Sequence, residues 1–267
     1  MKIEGAKILV TGASSGIGEA LAPILASRGA TVGIVARRFD RLEAVLEQCR
    51  KFAPESRMWT ADLADLDRAA AIAIEADDAF GGLDVLVNNA AIPKRTSVTE
   101  LTPHDVRHVM DVDFHSPVRM ALAVLPRMVE RAHGQVLFVS STGGRIPIPH
   151  EAAYCAAKYA LCGFAETMFV DLGGTGVEVK LMLPGPVATE IWDLPDNDPA
   201  LFDVEKVTAA DCAAGIADAI EDDGFEYWVP PTFPGGVDAK SLATSKTQNC
   251  DQYVQGMAGF VQTLGQE

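Results

Sequence analysis

The sequence predicts an α/β protein: a single domain built on a doubly wound parallel sheet of about seven strands, with helices on both faces. Three observations carry that prediction. Short apolar runs recur without polar alternation, as strands buried on both faces require. Helix-length segments separate these runs all along the chain, the pattern of repeated strand-helix-strand units. A glycine-rich turn links the first run to the first helix.

The first run is Lys7 to Val10. It leads into Thr11-Gly12-Ala13-Ser14-Ser15-Gly16-Ile17-Gly18, and a helical pattern follows through Leu21, Ile24 and Leu25. Strand, glycine turn and helix form the Rossmann-like arrangement that cradles a pyrophosphate at a helix N-terminus. Gly12 allows the tight turn, Gly16 lets backbone approach phosphate, and Gly18 lets helix and sheet pack closely. Ser14, Ser15 and Ile17 belong to the same cofactor cradle. The null alternative is a simple turn, which the strand-to-helix context disfavours. The second strand, Thr31 to Ala36, ends at Arg37 and Arg38. A site for NAD(H) carries an acid here for the ribose hydroxyl. A guanidinium suits a 2′-phosphate instead, so NADP(H) is favoured over NAD(H). Asp40 is expected to cap a helix beginning at Arg41.

A third strand near Arg57 to Ala61 ends in Asp62-Leu63, and a fourth, Leu83 to Val87, ends in Asn88-Asn89-Ala90-Ala91. Ligands bind at such carboxyl ends. The Asn pair either holds the cofactor or satisfies loop backbone; the residues leave both open. Thr102-Pro103-His104-Asp105 starts a helix running toward Arg131. Pro117 cannot donate to the carbonyl of Asp113, so a local kink is expected. Gln135 to Val139 is the fifth strand, ending in Ser140-Ser141, and Val177 to Leu183 the sixth, followed by Pro184-Gly185-Pro186-Val187-Ala188-Thr189. The substrate loop is placed at about 190–206. A helix over Thr208 to Ile220 and a last strand over Phe225 to Val229 complete a domain of residues 1–231. Residues 232–267 form a tail with a short amphipathic helix, its stripe Tyr253, Met257, Phe260, Val261 and Leu264.

Between the fifth and sixth strands lies Tyr154-Cys155-Ala156-Ala157-Lys158, in an apolar run from Ala152 to Leu172. Residues four apart share a helix face. An ammonium beside a phenol lowers the phenol pKa and makes it a usable acid and base near neutral pH. Cys155 faces away and is read as packing.

Bulk properties bound the partners. The chain has 267 residues, 48% of them hydrophobic, and a net charge of −15. That charge argues against nucleic acid. Five dispersed cysteines and five dispersed histidines suggest reduced thiols, a cytoplasmic setting and no metal. The N-terminus reaches a strand pattern too soon for a signal peptide, and no run is apolar enough to span a bilayer, so no membrane partner is expected.

Taken together, these motifs resemble the short-chain dehydrogenase/reductases, from about Lys7 to Val229. Thr11-Gly12 through Gly18, Asp62, Asn88-Asn89-Ala90, Ser141, Tyr154, Lys158, and Pro184-Gly185 with Thr189 stand in the family's order. The interval to Tyr154 selects Ser141 over Ser140. The resemblance implies that Tyr154 is the acid or base, that Lys158 tunes it and holds the nicotinamide ribose, and that Ser141 hydrogen-bonds the substrate oxygen. Arg37 and Arg38 would hold the 2′-phosphate, Asp62 and Leu63 the adenine, Asn89 and Ala90 the adjacent ribose region, and Val187 and Thr189 the carboxamide. It also implies pairing of the helices around Thr102–Arg131 and Ala152–Leu172 into a homodimer or homotetramer.

Two residues depart from the family pattern. Ala91 replaces a glycine. Asp113 stands where the family has a catalytic Asn, whose main-chain carbonyl holds a relay water. Because Pro117 already leaves that carbonyl without a helical partner, Asp113→Asn is expected to alter turnover little and Pro117→Ala to lower it. The leading function is an NADP(H)-dependent oxidoreductase acting on a small-molecule carbonyl or secondary alcohol. Ile146, Ile148, His150, Trp192 and Phe202 would line a fairly apolar pocket. The alternatives are a 3-oxoacyl-thioester reductase and a non-catalytic NADP-binding sensor or scaffold.

Overall fold

The structure is a computed structural model that describes residues 1–201, 203–233 and 236–264. Seven parallel strands form the sheet: β1 (Lys7–Thr11), β2 (Thr31–Ala36), β3 (Arg57–Thr60), β4 (Val85–Asn88), β5 (Gly134–Val139), β6 (Val177–Pro184) and β7 (Glu226–Val229). Their order is β3-β2-β1-β4-β5-β6-β7. The chain winds outward from β1 in one direction and then from β4 in the other. The switch point therefore lies between β1 and β4, where such sheets open a crevice at their carboxyl ends.

The strands are apolar on both faces because helices cover both. Successive residues enter different cores, as the pleat dictates. Ile8 and Val10 face the core beneath α1 (Gly16–Ser27), α2 (Phe39–Arg50) and α7 (Ala209–Glu221). Leu9 faces the core beneath α3 (Leu66–Phe80), α5 (Ser116–Glu130) and α6 (Ala152–Asp171). The same alternation repeats in β5, where Leu137 and Val139 point one way and Val136 and Phe138 the other.

Local sequence signals explain the helix starts. Thr102 and Asp105 form a reciprocal capping box at α4 (Pro103–Met110). Asp65 and Thr208 cap α3 and α7. Asp40 does not cap α2: that helix starts at Phe39, which places Asp40 inside its first turn, and Arg38 is the unassisted N-cap. The acid there meets the helix dipole instead. The break expected near Pro117 takes the form of a π-helical turn, Asp111–His115, joining α4 to α5. The tail holds two helices rather than one, α8 (Ala239–Gln248) and α9 (Cys250–Leu264). Lys246 of α8 lies 5.0 Å over the Tyr159 ring of α6. Tyr253, Met257 and Val261 of the expected stripe are half-buried, while Phe260 is exposed. Of the described residues, no helix is long and apolar enough to cross a membrane.

Candidate active site

The glycine turn is held rigid by the end of β4. Thr11 Oγ1 accepts from the backbone N–H groups of Asn89 (2.9 Å) and Ala90 (3.0 Å), and Asn89 Nδ2 donates to the Thr11 carbonyl at 2.9 Å. The Asn89 side chain thus satisfies loop backbone, while the residue still lines the cleft. Asn88 turns inward, with neither amide atom hydrogen-bonded among the described residues. Gly12 has φ +68°, and a Cβ there would meet Ala90 Cα at 2.7 Å. A Cβ at Gly18 would stand 2.5 Å from the Gly12 carbonyl oxygen. Both positions demand glycine, for backbone angle and for space.

One continuous cleft runs along the strand ends. It brings together Gly12, Ser14, Ser15, Gly16, Ile17, Arg37, Arg38, Asp62, Leu63, Asn89, Ala90, Ser141, Tyr154, Lys158, Pro184, Gly185, Val187 and Thr189. Of the catalytic and cofactor-binding residues singled out from sequence, Gly18 and Asp113 do not line it. Gly18 packs beneath the turn, and Asp113 is fully buried behind Lys158. The length of the cleft, its glycine-shaped floor and the arginines at one end fit a dinucleotide. Gly16 contributes to that floor, since a Cβ would strike Thr189 Cγ2 at 2.8 Å.

Ser141 is oriented by its own turn: its Oγ accepts from Gly143 N–H at 3.0 Å, leaving the hydroxyl proton free to donate. Ser140 instead donates to the Lys158 carbonyl and contacts Cys162, a packing role. Tyr154 and Lys158 lie one turn apart on α6, with Lys158 Nζ 5.5 Å from the centre of the phenol ring. Cys155 is buried, and its sulfur accepts from Ile148 N–H.

The electrostatics differ from the sequence expectation. Asp113 Oδ1 accepts from Ile92 N–H at 2.8 Å, and Oδ2 lies 3.3 Å from Lys158 Nζ. That contact is an ion pair by distance but not a well-directed hydrogen bond; Lys158 donates to the Val139 carbonyl. Burial raises the Asp113 carboxyl above its ordinary range, against the pull of Lys158 and Ile92. Asp113 therefore stands against the same ammonium that faces Tyr154, and its carboxylate opposes the effect of Lys158 on the phenol. Burial, and after it Asp113, push the phenol pKa above its usual value, with the Ser141 hydrogen bond opposing. The acidified phenol read from the helix spacing is not what this structure holds.

The substrate end contains groups the sequence did not single out. Ile148 and Trp192 line it as expected, but Ile146 and His150 do not. His150 has φ +63° and uses its carbonyl to accept from Thr96 N–H. Phe202 lies outside the described residues. In their place stand Arg95 and Glu151, both buried, with Arg95 Nε 3.1 Å from Glu151 Oε1. The Arg95 guanidinium also donates to the Asp198 carbonyl at 3.0 Å and stacks 5.0 Å over Trp192. Burial raises the Glu151 pKa, with Arg95 opposing. The apolar pocket thus carries an ion pair in its wall. Arg95 sits just past the end of β4 and Glu151 at the N-cap of α6; their places at strand and helix ends were the available signals.

The arginines at the other end are already engaged. Arg38 Nε and Nη2 reach Ser14 Oγ at 3.2 Å, and Nη2 reaches Glu190 Oε1 at 2.5 Å. Arg37 is more open, 3.9 Å from Asp62.

The description "short chain dehydrogenase" belongs to the family model that matches residues 6–198. The chain is a member of the short-chain dehydrogenase/reductase family. It is 34% identical over 196 residues to dehydrogenase/reductase SDR family member 7B of Mus musculus, which covers 71% of this chain and 60% of that protein. It is 32% identical over 203 residues to D-threitol dehydrogenase of Mycolicibacterium smegmatis, covering 74% of this chain and 77% of that one. Among solved structures, a short-chain dehydrogenase from Sphingobium yanoikuyae in complex with NADPH superposes with a TM-score of 0.79 at 24% identity, covering 95% of each chain. At that identity the likeness speaks to the fold.

Proposed function

We propose that this chain is an NADP(H)-dependent oxidoreductase that interconverts a small-molecule carbonyl and secondary alcohol. The observation that carries the reading is the meeting of Ser141, Tyr154 and Lys158 on one cleft whose far end presents Arg37, Arg38 and Ser14. The NADPH complex of the Sphingobium yanoikuyae neighbour supports the choice of cofactor for this fold.

A bound nicotinamide would supply or accept the hydride. The chain's own residues handle the proton. Tyr154 gives its phenolic proton to the carbonyl oxygen, and Ser141 donates a hydrogen bond to that oxygen as charge develops. A phenol is protonated at neutral pH and can act as the acid, while its raised pKa means that the phenolate needed for the reverse reaction is scarce there. At the substrate end, Ile148, Trp192 and Leu194 suit an apolar body, while Arg95 and Glu151 suit a polar group on the same molecule.

Asp113, set against Lys158 and helping to raise the Tyr154 pKa, favours a second reading, an NADP-binding sensor without turnover. One assay separates the two. The protein is mixed with NADPH and a panel of ketones, and the absorbance of the reduced nicotinamide is followed. Oxidation of the cofactor with one class of ketone is the expected result; tight binding with no oxidation across the panel overturns it in favour of the sensor. A homodimer or homotetramer is part of the proposal. It is supported by exposed Leu122 and Val129 on α5 and Phe169 and Val170 on α6, and light scattering tests it.

A further inference from the structure

The site's most heavily engaged carboxylate is absent from the reaction just described. Glu190 follows Thr189 directly and opens a short 3-10 turn, Glu190–Trp192. Its Oε1 lies 2.5 Å from Arg38 Nη2 and its Oε2 lies 2.6 Å from Arg41 Nη1. The Arg38 hydrogen bond, joined by Arg41 and the Ser15 hydroxyl, holds the Glu190 carboxyl down at about 2. It is charged at any working pH. Two guanidinium groups and a serine hydroxyl around one oxyanion make a set of donors that a phosphate also seeks.

We propose that Glu190 is an internal competitor for the cofactor's 2′-phosphate: its carboxylate occupies the same guanidinium, Arg38, that the phosphate must use. The proposal rests on the NADP(H) reading and deepens it. Arg38 spends its Nε and Nη2 on Ser14 and Glu190. Ser14 belongs to the glycine turn, so this edge of Arg38 faces the cofactor floor. A phosphate arriving at the same edge meets a fixed anion within hydrogen-bond distance of the same nitrogens. Two anions on one guanidinium edge repel, and the weaker-charged one, the carboxylate, gives way. A cofactor with a bare 2′-hydroxyl brings no such charge and leaves the Glu190 contacts in place. Glu190 therefore taxes NADP(H) and not NAD(H), and it narrows the preference that Arg37 and Arg38 create. The exposure of the two side chains, 42% for Arg38 and 35% for Glu190, limits the size of the effect.

The test measures dissociation constants of the full chain for NADPH, NADH, 2′,5′-ADP and 5′-AMP, in the native protein and in Glu190→Gln. The variant is expected to bind NADPH and 2′,5′-ADP roughly three- to tenfold more tightly, with NADH and 5′-AMP unchanged. In an Arg38→Ala background, adding Glu190→Gln should change nothing, because the contested group is gone. Weaker or unchanged binding of 2′,5′-ADP by Glu190→Gln overturns the proposal, as does a gain that persists without Arg38. A gain shared equally by NADH overturns it too. The NADP(H) reading fails separately: the native protein would then bind NADH more tightly than NADPH, whatever Glu190→Gln does to 2′,5′-ADP.

Discussion

The two ends of the cleft are built on different plans. The cofactor end is mostly backbone: a glycine turn, the close of β4 and the Pro184–Thr189 segment, each contiguous in sequence, the first two tied by the Thr11 and Asn89 side chains to neighbouring main chain. The substrate end is mostly side chains gathered from distant segments, with Arg95, Glu151 and Trp192 meeting only in three dimensions. Backbone contacts tolerate few substitutions but are indifferent to ligand chemistry. Side-chain contacts can be exchanged one at a time, and so they are where a substrate is chosen. Tyr154 lines the cleft between them and in the proposed reaction serves both. Replacing it with Phe should lower reduction about 10²- to 10⁴-fold while leaving NADPH affinity nearly unchanged. A variant with intact turnover would sever the link between the two ends.

The second-largest effect is expected at the substrate end. Arg95→Ala leaves Glu151 buried without its cation, a loss on the order of 3 kcal/mol in unfolding free energy. It also removes the donor to the Asp198 carbonyl and the support of Trp192. Denaturant unfolding should show the loss, and KM should rise more than kcat falls. Adding Glu151→Leu should restore much of the stability but not the KM. Recovery of both would mean that the pair only packs.

At the cofactor end the matching probe is Gly18→Ala. Its Cβ would stand 2.5 Å from the Gly12 carbonyl oxygen and 2.7 Å from Asn89 Nδ2, so the turn must shift. Overpacking of this kind costs about 1–3 kcal/mol. A fluorescence titration should show NADPH binding weakened by roughly ten- to a hundredfold, with KM for the carbonyl little changed once cofactor saturates. An equal loss at both ends would show that the ends are not separable.

The same contrast explains what was legible in the sequence. The strand order, the helices on both faces and the cofactor end could be read because glycines, strand ends and helix starts are local signals. The pairing of Arg95 with Glu151, and of Arg38 with Glu190, could not: no periodicity joins residues so far apart. Asp113 was visible as an oddity. Its consequence was missed because a charge pair is judged by geometry. Read alone, Lys158 is a cation that acidifies Tyr154; read with a carboxylate 3.3 Å away, it is half of a pair whose acid pushes the phenol pKa the other way.

That reversal yields the smallest and most diagnostic effect. Asp113→Asn keeps an oxygen for Ile92 N–H but removes the carboxylate that helps raise the phenol pKa. The groups bearing on Tyr154 are Asp113, Ser141, Glu151 and Cys155, and only the first changes. In the native protein the phenol pKa is raised, so reduction is expected to be retained as pH climbs past the ordinary phenol range, and oxidation, which needs the phenolate, is expected to be slow at neutral pH. With Asn the phenol pKa falls. The alkaline limb of the reduction profile should move to lower pH, and oxidation at neutral pH should quicken. This replaces the expectation that the substitution is nearly silent, which considered only the main-chain carbonyl. If the alkaline limb does not move, the carboxylate is not what holds the phenol up, and burial alone sets the chemistry at the junction.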